Sequence, residues 1–333
     1  MKSVLITGGA GYIGHNTVRT FQSMDVNVVS LDNMSRGHQW AKDDVTFIEG
    51  DISDNELVTQ VIIDNQVDTI IHFAAFAYVH ESIVSPAKYF DNNVIKSIKF
   101  IDTAIEAGVD KFIFSSSCAV YGQPESIPIT EAHSTNPINP YGETKLFIEK
   151  VLQWYKYKND IEYVVLRYFN AAGASKSNNA GEYHIPETHL IPLLIQNTTK
   201  YHKPFKIFGN DYETNDGTAI RDYIHIDDLS NAHYLAYKYL NRGEKSVILN
   251  LGTGKGHSIL GVIRCLEEII NTSIQYKFQP RREGDPAALV ASFETANKIL
   301  GWKPKYGLKQ ILESAYRWEI STLPELINKY KRS

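Results

Sequence analysis

The segment Gly8-Gly9-Ala10-Gly11-Tyr12-Ile13-Gly14 limits what this chain can fold into more than any other stretch of it. It follows directly on a short β-branched run, Val4-Leu5-Ile6-Thr7, and opens a helical stretch, with glycines spaced G-x-x-G-x-x-G. Glycine lets the backbone turn tightly and approach a pyrophosphate, whose charge then sits against the positive N-terminal end of the helix. A mere Gly-rich turn would account for the glycines alone. Strand, glycines, helix and a later acid in that order point instead to a dinucleotide site. The acid is Asp32, close to the ~20-residue interval at which a carboxylate takes the adenosine ribose hydroxyls. A carboxylate there repels a 2′-phosphate, so NAD is expected rather than NADP; Arg36 is the nearby residue that would favour the other choice.

Short β-branched runs alternate with amphipathic stretches through the first half, the pattern of βαβ units around a parallel sheet. The runs read as buried strands are Val4 to Thr7, Val26 to Leu31, Val45 to Ile48, Thr69 to Phe73, Lys111 to Ser115 and Val164 to Arg167. A Pro-rich loop, Gln123 to Pro140, separates the last two and leads into a helix beginning near Tyr141. After Phe169 the texture changes. Gly, Asn, Pro and His cluster from Ala171 to Pro192, and elements then follow without strict alternation, marking a second lobe. Val247 to Leu251 returns to the first sheet. The expected fold is therefore α/β: a Rossmann-type doubly wound parallel sheet with a smaller mixed α/β substrate lobe. The NAD-binding domain is expected over 1–170 plus about 222–250, and the substrate lobe over 171–221 plus 251–333.

At 333 residues such a chain fits about two domains and buries ~75% of its unfolded surface. The net charge of -4 gives no reason to expect nucleic acid or an anionic membrane as partner. Two cysteines, Cys118 and Cys265, are too few for a disulfide framework, and no signal-peptide pattern opens the chain. A reduced cytoplasm is the expected address. No apolar run approaches the ~20 residues of a membrane span.

Tyr141-Gly142-Glu143-Thr144-Lys145 sets a phenol and an ammonium four residues apart, on one face of a helix. A free tyrosine has a pKa of ~10, and acting as a base near neutrality needs a shift of ~3 units, roughly 4 kcal/mol. Lys145 and an oxidised nicotinamide are two positive charges that would supply it. Ser115-Ser116-Ser117 ends a strand where ligands of parallel α/β sheets collect, which makes Ser117 a candidate partner between a substrate hydroxyl and Tyr141. Two readings of Asp51 stand side by side: an acceptor for the adenine amino group, or a loop or helix-cap aspartate. Cys118 reads as a packing residue.

Gly8 through Gly14, Asp32-Asn33, His72-Phe73-Ala74-Ala75, Ser115-Ser116-Ser117, Tyr141 to Lys145 and Arg167-Tyr168-Phe169-Asn170-Ala171-Ala172-Gly173 together resemble the extended short-chain dehydrogenase/reductase superfamily. Within it they look most like the UDP-glucose 4-epimerase family. The resemblance continues through Phe208 to Tyr212, Asp216 to Thr218, Arg221 to His225 and Arg281-Arg282-Glu283-Gly284-Asp285. It implies that Tyr141 is the base, that Lys145 holds the nicotinamide ribose and lowers the phenol pKa, and that Ser117 relays the proton. It implies a cofactor lining of Gly8, Gly11, Tyr12, Ile13, Gly14, Asp32, Asn33, Asp51, Ile52, Phe73, Ala74, Ala75, Asn92 and Tyr168. Asn170, His189, Leu190, Phe208, Arg221, Tyr223, Arg282 and Asp285 would hold the uridine diphosphate; the two arginines also suit phosphate on physical grounds, through their rigid donor forks. It further implies a homodimer paired through two helices per subunit, and no metal. The chain departs from the pattern at His15-Asn16, at Ala77, where some members place a lysine near the nicotinamide, and at His80, where glycine is usual.

The reaction so implied is inversion at the sugar 4-carbon, with Tyr141 taking the hydroxyl proton while a hydride moves to NAD and back. The rivals are a UDP-pentose 4-epimerase, a dehydratase or decarboxylase of the same scaffold, and a non-catalytic NAD sensor. Dehydratases of this fold usually carry Thr-Asp-Glu where Ser115-Ser116-Ser117 stands. A sensor does not need Ser117, Tyr141 and Lys145 together. Leu289 occupies the place that lines the family's hexose pocket, and either gates a 2-acetamido group or simply packs in the second lobe.

Overall fold

The computed structural model describes residues 2–42, 45–282 and 285–330. Its strands, in chain order, are β1 (Ser3–Thr7), β2 (Val28–Asp32), β3 (Thr46–Glu49), β4 (Val67–His72), β5 (Lys111–Ser117), β6 (Glu162–Tyr168), β7 (Asn170–Ala172), β8 (Phe205–Phe208), β9 (Ile220–His225), β10 (Val247–Leu251), β11 (Gly256–Ser258), β12 (Tyr276–Gln279) and β13 (Ala288–Leu289). All six runs expected as buried strands are strands, with ends moved by one or two residues, and 247–251 does return to the first sheet.

Seven strands form that sheet in the order β10-β6-β5-β4-β1-β2-β3. β1 pairs in parallel with both β2 and β4, β2 with β3, and β4 with β5. The order reverses at β1, the switch point beyond whose strand ends doubly wound sheets bind ligands. Every residue of β1, β2 and β4 is buried, so both faces of the sheet are covered. On one face Leu5, Leu31, Ile70, Phe112 and Phe114 pack with Val58 and Val61 of helix Asn55–Asp64, Phe100 and Ala104 of helix Lys96–Glu106, and Ile148 and Leu152 of helix Pro140–Asn159. Helix Tyr12–Gln22 is tied to helix Ile226–Leu240, where Phe21 meets Tyr234 and Tyr237 at ring distances of 5.7 and 5.5 Å and Asn16 donates to Ser230 at 2.9 Å. Asn16, which departs from the family pattern, thus has a packing role.

The chain resolves into two compact units. One holds the chain up to Gly122, Ser134–Arg167 and Ser230–Leu249; the other holds Gln123–His133, Tyr168–Leu229 and the chain from Asn250 on. Besides residues 168–170 and Asn250, which pass to the second unit at its edges, two longer segments fall differently from the boundaries read in the sequence, and backbone pairing explains both. Residues 222–229 go with the second unit because β9 is bonded to β11, β13 and β7, and Asp228 accepts from the backbone of Lys305 and Tyr306 at 2.9 and 3.0 Å. Residues 123–133 go there because Ile129 exchanges backbone bonds with Val290 and Ser292 at 2.7 Å each.

In the second unit β9 is the hub, and β8 and β12 form a separate parallel pair. Its core gathers Ile207, Tyr223, Leu194, Leu266 and Leu312. Asp222, fully buried, fastens β9 to the following loop by accepting from Thr253 N, Gly254 N and Ala291 N at 2.8, 3.0 and 3.2 Å.

Candidate active site

The first unit carries the glycine cradle. Gly8 has φ +71°, and a Cβ there would lie 2.7 Å from the Ala74 nitrogen; a Cβ on Gly14 would lie 2.1 Å from the Gly8 carbonyl oxygen. Only glycine fits at either position. Gly11 is the N-cap of helix Tyr12–Gln22, with no side-chain cap and no acid in the first turn. The first-turn N–H groups, past buried Tyr12 and then Ile13, thus have neither a side-chain acceptor nor a carboxylate competing for an anion. These residues fit a dinucleotide pyrophosphate.

Asp32, at the end of β2, is buried and accepts from Ala10 N at 3.0 Å and Met34 N at 2.8 Å. Burial pushes its carboxyl above the usual range, opposed by those two backbone donors. Arg36 is occupied elsewhere: its Nη2 donates to both carboxylate oxygens of Glu81 at 3.0 and 3.1 Å, and its guanidinium lies 4.6 Å from the Tyr78 ring centroid. Asp51 accepts from Ser53 N and Oγ at 3.0 and 2.6 Å, Asn33 Nδ2 at 2.8 Å and Lys96 Nζ at 2.9 Å. Burial works against its ionisation, yet these donors hold its carboxyl far below the usual range. Four bonds fill a carboxylate's lone pairs, so an adenine amino group would have to displace one. Ile52 is buried beside it in the core.

Phe73, Ala74 and Ala75 follow β4, where Phe73 N donates to Thr7 O at 3.1 Å. The buried imidazole of His72, held neutral and down to about 3 by burial and the Lys145 charge, bridges Thr7 Oγ1 and Ser97 Oγ at 2.7 and 3.0 Å. Asn92 donates to Asn93 Oδ1 at 3.0 Å, and Asn93 clamps both main-chain groups of Phe76 at 2.8 and 2.9 Å. Asn93 was not foreseen; its signal was the adjacent Asn-Asn. Ala77 and His80 are exposed.

Helix Pro140–Asn159 starts with Pro at its first position and Asn139 Oδ1 accepting from Gly142 N at 2.9 Å, two strong start signals. It carries Tyr141 and Lys145. Ser117 is the last residue of β5; its hydroxyl draws the Tyr141 pKa down, but burial outweighs it and pushes the phenol up to about 12. Lys145 Nζ donates to Ser115 O at 2.8 Å and lies 5.8 Å from the Tyr141 ring centroid. Burial pulls this ammonium down to about 7, with Glu149 pulling the other way. The three residues expected to act together are therefore together, but the expected depression of the Tyr141 pKa is absent from the protein alone. Burial draws the Lys145 ammonium down as well, so within the protein alone it does not offset the burial of the phenol.

Behind them stands a buried network the sequence reading missed. Arg167 Nε donates to Glu149 Oε1 at 2.9 Å and Nη2 to Oε2 at 2.5 Å; Ser116 Oγ donates to the same carboxylate at 2.5 Å, and Arg167 Nη1 to Tyr121 OH at 3.0 Å. Its signal was a glutamate one helical turn beyond Lys145.

In the second unit, Tyr168 is buried at the end of β6. Asn170 Nδ2 donates to Asp222 O at 3.0 Å, and the parallel register sets Asn170 against Tyr223 and Leu289 against Arg221. Arg221 donates to its neighbour Ile220 O at 2.8 Å and pairs with Asp285. The Tyr223 phenol is pushed up to about 12 by burial, with Arg221 opposing. Arg282 lies 4.1 Å from the Phe208 ring centroid. Leu190 opens helix Leu190–Gln196, with His189 as its N-cap, and packs against the cluster that holds Tyr223. Five expected residues thus meet on or beside β9. The Glu283-Gly284 pair of the family motif lies outside the described residues.

The fold and cradle define a nucleotide-cofactor enzyme of the short-chain type. The family model described as "NAD dependent epimerase/dehydratase family" matches residues 4–252, and the chain belongs to that family. It is 47% identical over 317 residues to a UDP-glucose 4-epimerase of Halalkalibacterium halodurans, spanning 95% of each chain. Among solved structures it resembles a Brucella ovis UDP-glucose 4-epimerase in complex with NAD, at TM-score 0.92 and 42% identity over 95% of this chain and 98% of that one. A Bifidobacterium longum UDP-glucose 4-epimerase in complex with NAD+ and UDP matches at TM-score 0.90 and 35% identity, over 96% and 98% of the two chains.

Proposed function

We propose that this protein is an NAD-dependent UDP-hexose 4-epimerase that interconverts UDP-glucose and UDP-galactose and also accepts the 2-acetamido pair. The observation that carries the reading is that the end of β5 at Ser117 and the helix face bearing Tyr141 and Lys145, with Lys145 Nζ donating to Ser115 O at 2.8 Å, lie in the unit that holds the glycine cradle. Bound NAD would supply the hydride acceptor and a positive charge. The chain's part is to hold and move one proton: the Tyr141 phenolate oxygen takes it from the sugar 4-hydroxyl by way of Ser117 Oγ and returns it when the hydride returns, and a protonated Lys145 favours that phenolate. Gly8, Gly11, Tyr12, Ile13, Gly14, Asp32, Asn33, Asp51, Ile52, Phe73, Ala74, Ala75, Asn92, Lys145 and Tyr168 are assigned to NAD. Asn170, His189, Leu190, Phe208, Arg221, Tyr223, Arg282, Asp285 and Leu289 are assigned to the UDP-sugar. Incubating the purified protein with UDP-galactose and scoring the sugar by NMR tests the activity; equilibration with UDP-glucose is expected, and an unchanged substrate refutes it.

The cofactor released on denaturation is expected to be NAD, because Asp32 repels a 2′-phosphate and Arg36 is committed to Glu81. Mass spectrometry of the released nucleotide decides, and NADP would overturn this role for Asp32.

Leu289 is expected to gate the sugar. It is partly buried on β13, smaller than an aromatic residue and without its hydroxyl. Leu289→Tyr is expected to lower kcat/KM for the acetylated pair by roughly 10–200-fold, the span of a steric misfit of ~1–3 kcal/mol, and to spare the plain pair. Equal losses on both pairs, or a wild type inert toward the acetylated pair, would leave Leu289 a packing residue.

The functional form is proposed to be a homodimer. Phe147 and Trp154, two turns apart on helix Pro140–Asn159, are 48% and 72% exposed, and Ile95, beside helix Lys96–Glu106, is 53% exposed, an apolar stripe of the kind that marks an interface. Phe147→Glu with Trp154→Glu is expected to halve the mass seen by light scattering. An unchanged mass would move the interface elsewhere.

A further inference from the structure

Two Glu-x-His pairs stand five residues apart in the second unit: Glu182-Tyr183-His184 and Glu187-Thr188-His189. Their side chains converge, one donor atom of each lying within 4.8 Å of the others. His189 Nδ1 is 2.9 Å from Glu182 Oε1 and 3.1 Å from Glu187 Oε1; His184 Nδ1 is 3.4 Å from Glu182 Oε1 and 3.3 Å from Glu187 Oε2. Hydrogen bonding explains half of this geometry, because an Nδ1 carries at most one proton and each faces two carboxylates. Ligand atoms at the ~2.0–2.2 Å bond lengths of tetrahedral zinc stand about 3.3–3.6 Å apart. With Glu187 offering Oε2, the three His–Glu separations of one ligand set are 2.9, 3.3 and 3.4 Å, at or inside that edge length.

Charge points the same way. The Glu182 and Glu187 side chains are only 7% and 5% exposed, and two carboxylates withdrawn from water need compensating positive charge. In the ion-free chain Glu182 and Glu187 raise the His189 imidazole to about 10 against burial, so a protonated His189 offsets one of the two charges; one divalent ion with two neutral imidazoles would offset both. The surroundings are also fixed in advance. Trp318 Nε1 donates to Glu182 O at 2.9 Å, and Thr188 N and His189 N donate to Glu187 Oε1 at 2.7 and 2.8 Å, the outer contacts that orient ligands in built metal sites. Gly181 is held against the Trp318 ring, 2.4 Å from where its Cβ would stand.

We propose that Glu182, His184, Glu187 and His189 form a site for one divalent transition-metal ion of the zinc class. Four protein ligands close the coordination sphere, so the ion is structural, and mixed imidazole and carboxylate donors suit zinc better than magnesium. It clasps the 182–189 segment against the start of helix Leu190–Gln196. It takes the imidazole of His189, leaving the nucleotide the main chain at His189-Leu190. The sequence reading expected no metal, since these ligands come from one short loop without the cysteines that usually flag zinc.

The test uses the full chain, stripped with EDTA and titrated with zinc chloride in a calorimeter, with bound metal counted by plasma mass spectrometry after gel filtration. One zinc per chain is expected, with binding weakened 100-fold or more in His184→Ala and in Glu187→Gln, and a zinc-dependent rise in Tm on the order of 5 °C that both variants lose. No zinc retained above buffer level, or equal binding by wild type and both variants, overturns the site. If a variant fails to fold, the wild-type stoichiometry and the visible spectrum of the cobalt-loaded wild type still decide, since four protein ligands require tetrahedral bands. An octahedral spectrum would refute the closed site. None of these readouts depends on turnover, so they stand or fall apart from the epimerase reading.

Discussion

Tyr141→Phe is expected to keep NAD and UDP binding while losing on the order of 10²–10⁴ in kcat, the usual cost of removing a general base. The ring volume is unchanged, and the backbone bond from Tyr141 N to Ser82 Oγ at 3.2 Å remains. What disappears is the hydroxyl that Ser117 meets. The size of the loss follows from how hard this phenol is to ionise. With its pKa pushed up to about 12 by burial, it stands about five units above neutrality, or ~7 kcal/mol, and Lys145 near 7 supplies only part of a charge. The positive charge of the oxidised cofactor would supply the remaining stabilisation, and would couple proton removal to cofactor occupancy. The same coupling predicts that the Tyr141 titration, followed by ultraviolet difference spectra, falls toward neutrality only when NAD is bound. Turnover of Tyr141→Phe within a few-fold of wild type, with NAD retained, would remove Tyr141 from the reaction.

The parallel sheet was legible because it is buried on both faces. Continuous runs such as Thr69-Ile70-Ile71 need no alternation, and the glycine cradle fixes where the first turn falls. The second unit was less legible because its strands are defined by partners far along the chain. Nothing local in Gln123 to His133 shows that Ile129 will bond to Val290 and Ser292, and Ile220 to His225 reads equally well as a strand of either sheet until β7, β11 and β13 are in place. The same limit governs side-chain roles. Arg36 was an open alternative until Glu81, 45 residues away, was found to hold it. Asp51 carried two readings, and the packing gives it four protein donors. Tyr141, Lys145 and Ser117 were picked from spacing and strand ends, but the burial that raises the Tyr141 pKa in the protein alone was not visible there, because burial is a property of the fold and the charge expected to oppose it is carried by a ligand.

The network behind Lys145 sets the second large effect. Glu149 is 1% exposed and Arg167 5%, and the pair is bidentate, with Ser116 and Tyr121 as further partners. Glu149→Ala would leave the Arg167 guanidinium buried with only the Tyr121 hydroxyl, and breaking one side of such a pair costs about 3–5 kcal/mol. The expected result is a fall in Tm on the order of 10 °C. A double variant, Glu149→Met with Arg167→Leu, removes both charges and fills the space, so it is expected to recover most of the loss; replacing a buried pair by apolar groups is often neutral. A second consequence separates the positioning role from plain stability. The Glu149 charge is what raises the Lys145 pKa against burial, so in both variants Lys145 loses its proton at lower pH, and the alkaline limb of whatever activity depends on its charge moves toward acid. The double variant is therefore expected to be stable yet shifted in its pH profile. A single variant within about 1 kcal/mol of wild type, or a double variant with an unshifted profile, would show that this network neither holds the helix of Tyr141 in place nor tunes the ammonium beside it.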